Sequence, residues 1–193
     1  MRRTRMLERA LGLACFALAG AIVFGTWRAE PRGAARPSVL ERLVGPFASL
    51  VASAQWVRAD LALRAGHFGL YCERADAALE LAPADPQAWI GYASRLLFDR
   101  ASPEREPDRA RRESWTRAGI DLLLRAEKES ADPGEILVFE GGVFAMWAEI
   151  PDEERPWPES AEALRQHAIQ AFARARALGQ RQAARLEAAM RDR

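Results

Sequence analysis

The stretch Ala78-Leu-Glu-Leu-Ala-Pro83-Ala-Asp-Pro86-Gln-Ala-Trp89 decides the architecture. Pro83 has no N–H and its ring clashes with the preceding turn, so a helix running up to it must stop there. Asp85 is placed to cap the next helix, and Pro86 suits a first helical position, where a missing N–H costs nothing. The stretch therefore predicts helix, tight turn, helix. Asp132-Pro133 repeats the same start signal further along.

Upstream of this turn, Leu40, Leu43, Phe47, Leu50, Val51, Ala54, Val57 and Leu61 recur at mostly three- and four-residue steps. That spacing predicts one apolar stripe on an amphipathic helix over 39–65, broken or kinked at Gly45-Pro46. Gly66-His67-Phe68-Gly69 then reads as a turn, with a return helix over 70–81. Downstream, helices are predicted over 86–98, 109–131, 135–150 and 159–178, with a short polar helix over 181–190 after Gly179. The charged, proline-interrupted segments 99–108 and 151–158 read as exposed loops. Gly141-Gly142 would let a neighbouring helix approach closely.

Composition agrees with an all-α chain. Of 193 residues, 49% are apolar, enough for one domain with a core, and the chain is rich in Ala, Leu, Arg and Glu. Charge argues against a nucleic-acid partner. The chain has 28 basic and 27 acidic residues; residues 1–30 take five and two of these, leaving 23 and 25. A slightly acidic body is a poor phosphate-binding surface. Cys15 and Cys72 make no plausible disulfide, because Cys15 lies within an apolar run.

That run decides the expected location. Arg2, Arg3, Arg5 and Arg9 precede 18 uncharged residues from Ala10 to Trp27. The length is at the short end for a helix crossing roughly 30 Å of hydrocarbon. Clustered arginines would hold the N-terminus in the cytoplasm and place the body in the periplasm or outside the cell. Ala17-Leu-Ala19 also fits a signal-peptide cleavage site, although cleavage would leave an apolar new end. Gly12-Leu-Ala-Cys15 is a poor lipoprotein box. The expectation is an inner-membrane anchor over 1–29, a linker over 30–38 and a helical domain over 39–193.

Gly66, Ala78, Pro83, Trp89 and Ala93 resemble the signature positions of tetratricopeptide repeats. In that family small residues let paired helices pack closely, and the Trp fills the gap between neighbouring pairs. The likeness spans 66–93; Tyr71 and Ala75 depart from it, since the family prefers the small residue first and the bulky one second. With helix–turn–helix units predicted every 35–45 residues or so, the expected fold is a right-handed array of about three helical hairpins, preceded by a single transmembrane helix.

No enzyme motif emerges. His67 and His167 lack companions at ligand spacing, and Ser53, Ser94 and Ser114 lack a nucleophile elbow. No cofactor, metal, nucleic acid or small-molecule substrate is expected. Five tryptophans, Trp56, Trp89, Trp115, Trp147 and Trp157, are core candidates, but Trp157 lies between two prolines in a polar loop. It is either a partner contact or a staple on the following helix. The resemblance implies a protein or peptide partner on a concave face carrying Gln55, Arg58 and Arg95, with Trp157 as a further contact. The expected function is a non-enzymatic, membrane-anchored scaffold or adaptor. The alternative is an accessory subunit packed permanently into a larger membrane complex.

Overall fold

In the computed structural model of the chain, residues 45–192 are described. The Pro83 turn behaves as its chemistry requires. Helix α1 (Ala48–Arg64) follows a short 3-10 turn at Gly45–Phe47, and α2 (Phe68–Leu81) ends before Pro83. Helix α3 (Pro86–Ser94) starts on Asp85, whose side chain accepts from the Gln87 N–H at 3.0 Å. It passes into a π-helical segment, Arg95–Arg100. Then come α4 (Arg109–Glu129), α5 (Pro133–Ala148), α6 (Ala161–Ala177) and α7 (Arg181–Arg191). Asp108, Asp132 and Ser160 cap α4, α5 and α6 by the same side-chain acceptance. Gly66 and Gly179, at φ +80° and +94°, supply the left-handed residue that closes α1 and α6.

These helices pair as three hairpins: α1 with α2, α3 and its π segment with α4, and α5 with α6. Helix α7 packs on α6 as a half unit, and α3 also touches α5. Helices α3, α5 and α7 begin at 86, 133 and 181, 47 and 48 residues apart. Hydrogen bonds repeat at the same interval. The Ala131 N–H donates to the Ala84 carbonyl at 3.0 Å, Gln87 donates to Glu135, and Gln180 donates to Asp132 at 3.0 Å. The true period exceeds the 35–45 residues expected from sequence, because loops 101–108 and 149–160 lie inside the second and third hairpins.

Both loops are pinned from within. Arg155, 4% exposed, donates to the carbonyls of Trp147 (3.0 Å), Ile150 (2.8 Å) and Glu159 (2.8 Å) and to Asp152 (2.7 Å). Glu106 is buried in the other loop, where Arg112 donates to the carbonyls of Glu106 and Pro107. The core runs through Tyr71, Leu79, Trp89, Leu123, Ile136, Trp147, Leu164 and Phe172.

The expected fold requires one correction. Among the described residues no helix is long and apolar enough to cross a membrane. Helix α5 is the most apolar, but its 16 residues span about 24 Å and include Glu135 and Glu140. Helix α4 has 21 residues but is heavily charged. The described residues thus form an all-helical array without a spanning helix. Residues 10–27, on which the transmembrane expectation rested, lie outside the described residues.

Candidate functional site

Helix α1 faces α2 through Ala48, Ala52, Ala59 and Ala62, all buried. Small side chains there let the two helices approach closely. Trp56 and Leu63 pack partly buried against the core, yet other large apolar side chains point the other way. Phe47 is 57% exposed, Leu50 67%, Val57 62% and Leu61 59%, and Ala54 between them is exposed as well. At 3.6 residues per turn Leu50, Ala54, Val57 and Leu61 lie on the side of α1 opposite the alanines, and Phe47 stands in the 3-10 turn just before it. The helix is apolar on both sides, the pattern of a helix covered on both sides. Contiguous apolar surface of this kind marks an interaction site more often than free surface.

The four residues singled out in the sequence do not converge. Arg58 is exposed on α1 at the edge of the apolar stripe, next to Val57. Gln55 is half-buried, and its Oε1 accepts from Arg74 Nη1 at 3.5 Å, across to α2. Arg95 is exposed on the π segment and pairs with Asp99 at 2.8 Å. It lines a cavity of about 300 Å³ with Leu63, Phe68, Asp99, Arg100 and Arg105. Its three guanidinium groups stand against Asp99 and, 4.0 Å from Arg100, Glu106, an excess of one positive charge that suits an anionic group. Arg100 lies over the rings of Phe68 (4.9 Å) and Trp115 (5.2 Å), which fixes its position. Trp157 is half-buried and stacks on Trp147 at 6.0 Å, with Arg117 over its ring at 5.9 Å. That is the geometry of a staple between the loop and α5, the helix before it, where the sequence pointed to the helix after it.

A second cleft, of about 620 Å³, opens between the two long loops, with Phe98, Arg112, Met146, Ile150 and Glu153 among its walls. Phe98 and Met146 are 40% and 43% exposed there. It is wide and mixed in polarity, with room for a peptide side chain.

Among the described residues no group of three or more His, Cys, Asp or Glu could hold a metal. His67 is exposed in a turn, and His167 is paired with Glu159 at 2.8 Å beside the Phe144 ring. Burial pushes the Cys72 thiol up, the reverse of what a nucleophilic thiolate needs. Glu140, buried on α5, and Glu127, half-buried on α4, form a carboxyl pair, with Arg174 of α6 paired to Glu127. Burial first and Glu127 second push the Glu140 carboxyl up to about 7. Neither carboxyl lines either of these cavities.

Two features escaped the sequence reading. The orientation of α1 had a signal, because Phe47, Leu50, Ala54, Val57 and Leu61 alternate strictly by three and four, a heptad spacing. Arg155 had none, being one arginine in an acidic loop.

The chain matches no protein-family model, no curated protein and no solved structure, so its likeness to tetratricopeptide repeats rests on the quoted residues alone.

Proposed function

We propose that this chain is a non-enzymatic protein-interaction module built on a tetratricopeptide-like helical array. The observation that carries this is the outward apolar face of α1, with Leu50, Val57 and Leu61 each more than half exposed. A solvent-facing stripe of that size costs solubility and is kept where a partner covers it. Its apolar character favours a partner held constitutively, as in a subunit of a complex, over one that docks transiently through polar contacts. The net positive cavity at Arg95, Arg100 and Arg105 gives a second, weaker contact point for an anionic group. Residues 10–27 bear on where the module works and play no part in this proposal.

In-cell photocrosslinking tests it. A benzophenone side chain at Val57 is expected to give an adduct with another polypeptide chain, while the same probe at exposed Ala188 of α7 gives none. No adduct from Val57, in cells that express the chain at its own level, would remove the support for a binding module.

A further inference from the structure

We infer that the cleft between the two inserted loops is a docking site for an extended segment of another protein, one that carries an apolar side chain beside an arginine or lysine. No residue of α1 lines this cleft, so the inference goes beyond the reading of the α1 face and stands or falls apart from it.

The cleft is built by repetition. The π segment after α3 ends at Arg100 and α5 ends at Ala148, 48 residues apart, and a loop leaves the array after each. Residues lining the cleft recur at the same interval. Phe98 and Met146 are 48 residues apart, and so are Pro103 and Pro151. In stacked helical units, equivalent insertions emerge on one face, and that face is often the one that binds. Phe98 also meets Phe139 of α5 edge-on at 6.3 Å, which joins the two units at this point.

The apolar side chains of the cleft are left to solvent. Phe98 is 40% exposed and Met146 43%, with Ile150 half-buried beside them. The polar backbone nearby is already committed. Arg155 takes the carbonyls of Trp147 and Ile150, and Arg112 takes those of Glu106 and Pro107. A small molecule needs convergent polar groups to fix its orientation. This cleft offers apolar contact instead, including a flexible methionine that adapts to side chains of differing shape. That suits a peptide.

Charge selects the kind of peptide. Glu149, Glu153 and Glu154 line the cleft and are exposed, against the single Arg112. Among the described residues Glu153 and Glu154 have no cationic partner. Three carboxylates against one guanidinium leave an excess of two negative charges, the complement of an arginine or lysine side chain. Both loops are also held in place beforehand, one by buried Arg155 and the other around buried Glu106. A partner therefore has little of this chain to order, which removes one cost of binding.

The test selects a random-peptide display library on the purified full chain in mild non-ionic detergent, then measures the selected peptide by fluorescence anisotropy. The expected consensus joins Leu, Ile, Met or Phe to Arg or Lys and lacks Asp and Glu. Glu153→Lys with Glu154→Lys, at exposed loop positions, is expected to weaken that peptide about tenfold or more. Met146→Ala is expected to weaken it about fivefold, and Val57→Glu to leave it unchanged. All three variants are expected to keep the far-UV helix signal of the parent. A benzophenone side chain at exposed Pro103 is expected to capture the same peptide.

No enriched peptide, or a consensus without basic residues, would overturn the inference. So would a peptide whose affinity the double lysine substitution leaves unchanged. Weakening by Val57→Glu would place the peptide on α1, and indifference to Met146→Ala would reduce the binding to charge attraction without a site. Without peptide, an adduct from Pro103 to residues 1–44 of the same chain would assign the cleft to the chain's own segment. An adduct joining two chains would assign it to a second copy. Either adduct overturns the inference as well.

Discussion

Trp89 Nε1 donates a hydrogen bond to the Pro83 carbonyl at 2.7 Å, with Trp89 fully buried. The contact ties the interhelical turn to the helix it launches, and Arg125 of α4 lies over the same ring at 5.1 Å. One side chain thus holds the turn, α3 and α4 in register. Trp89→Phe leaves a buried carbonyl without its donor and is expected to cost about 1–3 kcal/mol in urea unfolding. Trp89→Ala, which also opens a cavity, is expected to cost about 3–5 kcal/mol. Asp85→Ala, which removes the cap four residues before Trp89, is expected to lose only about 1 kcal/mol.

Arg155 organises the loop between α5 and α6 through four acceptors while only 4% exposed. Arg155→Met would strand three carbonyls and release Trp157 from Trp147. The expected loss is about 3–5 kcal/mol in thermal or urea unfolding, with new protease cleavage within 149–160. Asp152 is 81% exposed, so Asp152→Asn is expected to cost below about 1 kcal/mol.

Gly141 and Gly142 are adjacent but not equivalent. A Cβ at Gly141 would stand 2.6 Å from Phe172 Cε1, so the buried ring would have to move. Gly141→Ala is expected to destabilise by about 1–3 kcal/mol. A Cβ at Gly142 meets nothing within 4 Å, and Gly142→Ala is expected to stabilise α5 by about 0.5–1 kcal/mol. Parallel melting curves of the two variants check both signs.

The carboxyl of Glu140 is raised from its ordinary 4.5 to about 7, by burial and then by Glu127, with Arg174 opposing. Between those two values the folded chain holds a proton that the unfolded chain has lost. Stability therefore falls as pH rises through that window, and the full penalty is present above it. Glu140→Gln is expected to flatten this part of the profile and to be more stable than the parent at pH 8 by on the order of 2–3 kcal/mol. Urea unfolding at pH 5, 6, 7 and 8 measures it.

The helix starts and stops were legible in the sequence because their chemistry is local. Asp85-Pro86, Asp132-Pro133, Pro83 and Gly179 each act within a few residues of themselves, and the observed boundaries follow them. The side of α1 that faces α2 was less legible. Both sides are apolar, and hydrophobic size favours the leucine side, whereas close packing with α2 selects Ala48, Ala52, Ala59 and Ala62. Arg155 was illegible because its acceptors are backbone carbonyls, which every residue carries. Of the candidate contacts, Arg58 stands at the apolar stripe and Arg95 at the basic cavity. Gln55 is engaged with Arg74, and Trp157 with Trp147.

The central claim is that the outer face of α1 is covered when the protein is at work. Maleimide labelling of Val57→Cys in freshly opened cells, with Cys15 and Cys72 replaced by Ser and Ala188→Cys as reference, tests it most directly. The account predicts labelling at Val57 at least about tenfold slower than at Ala188, equalising once urea unfolds the chain. Equal rates at the two positions in the native state would contradict it.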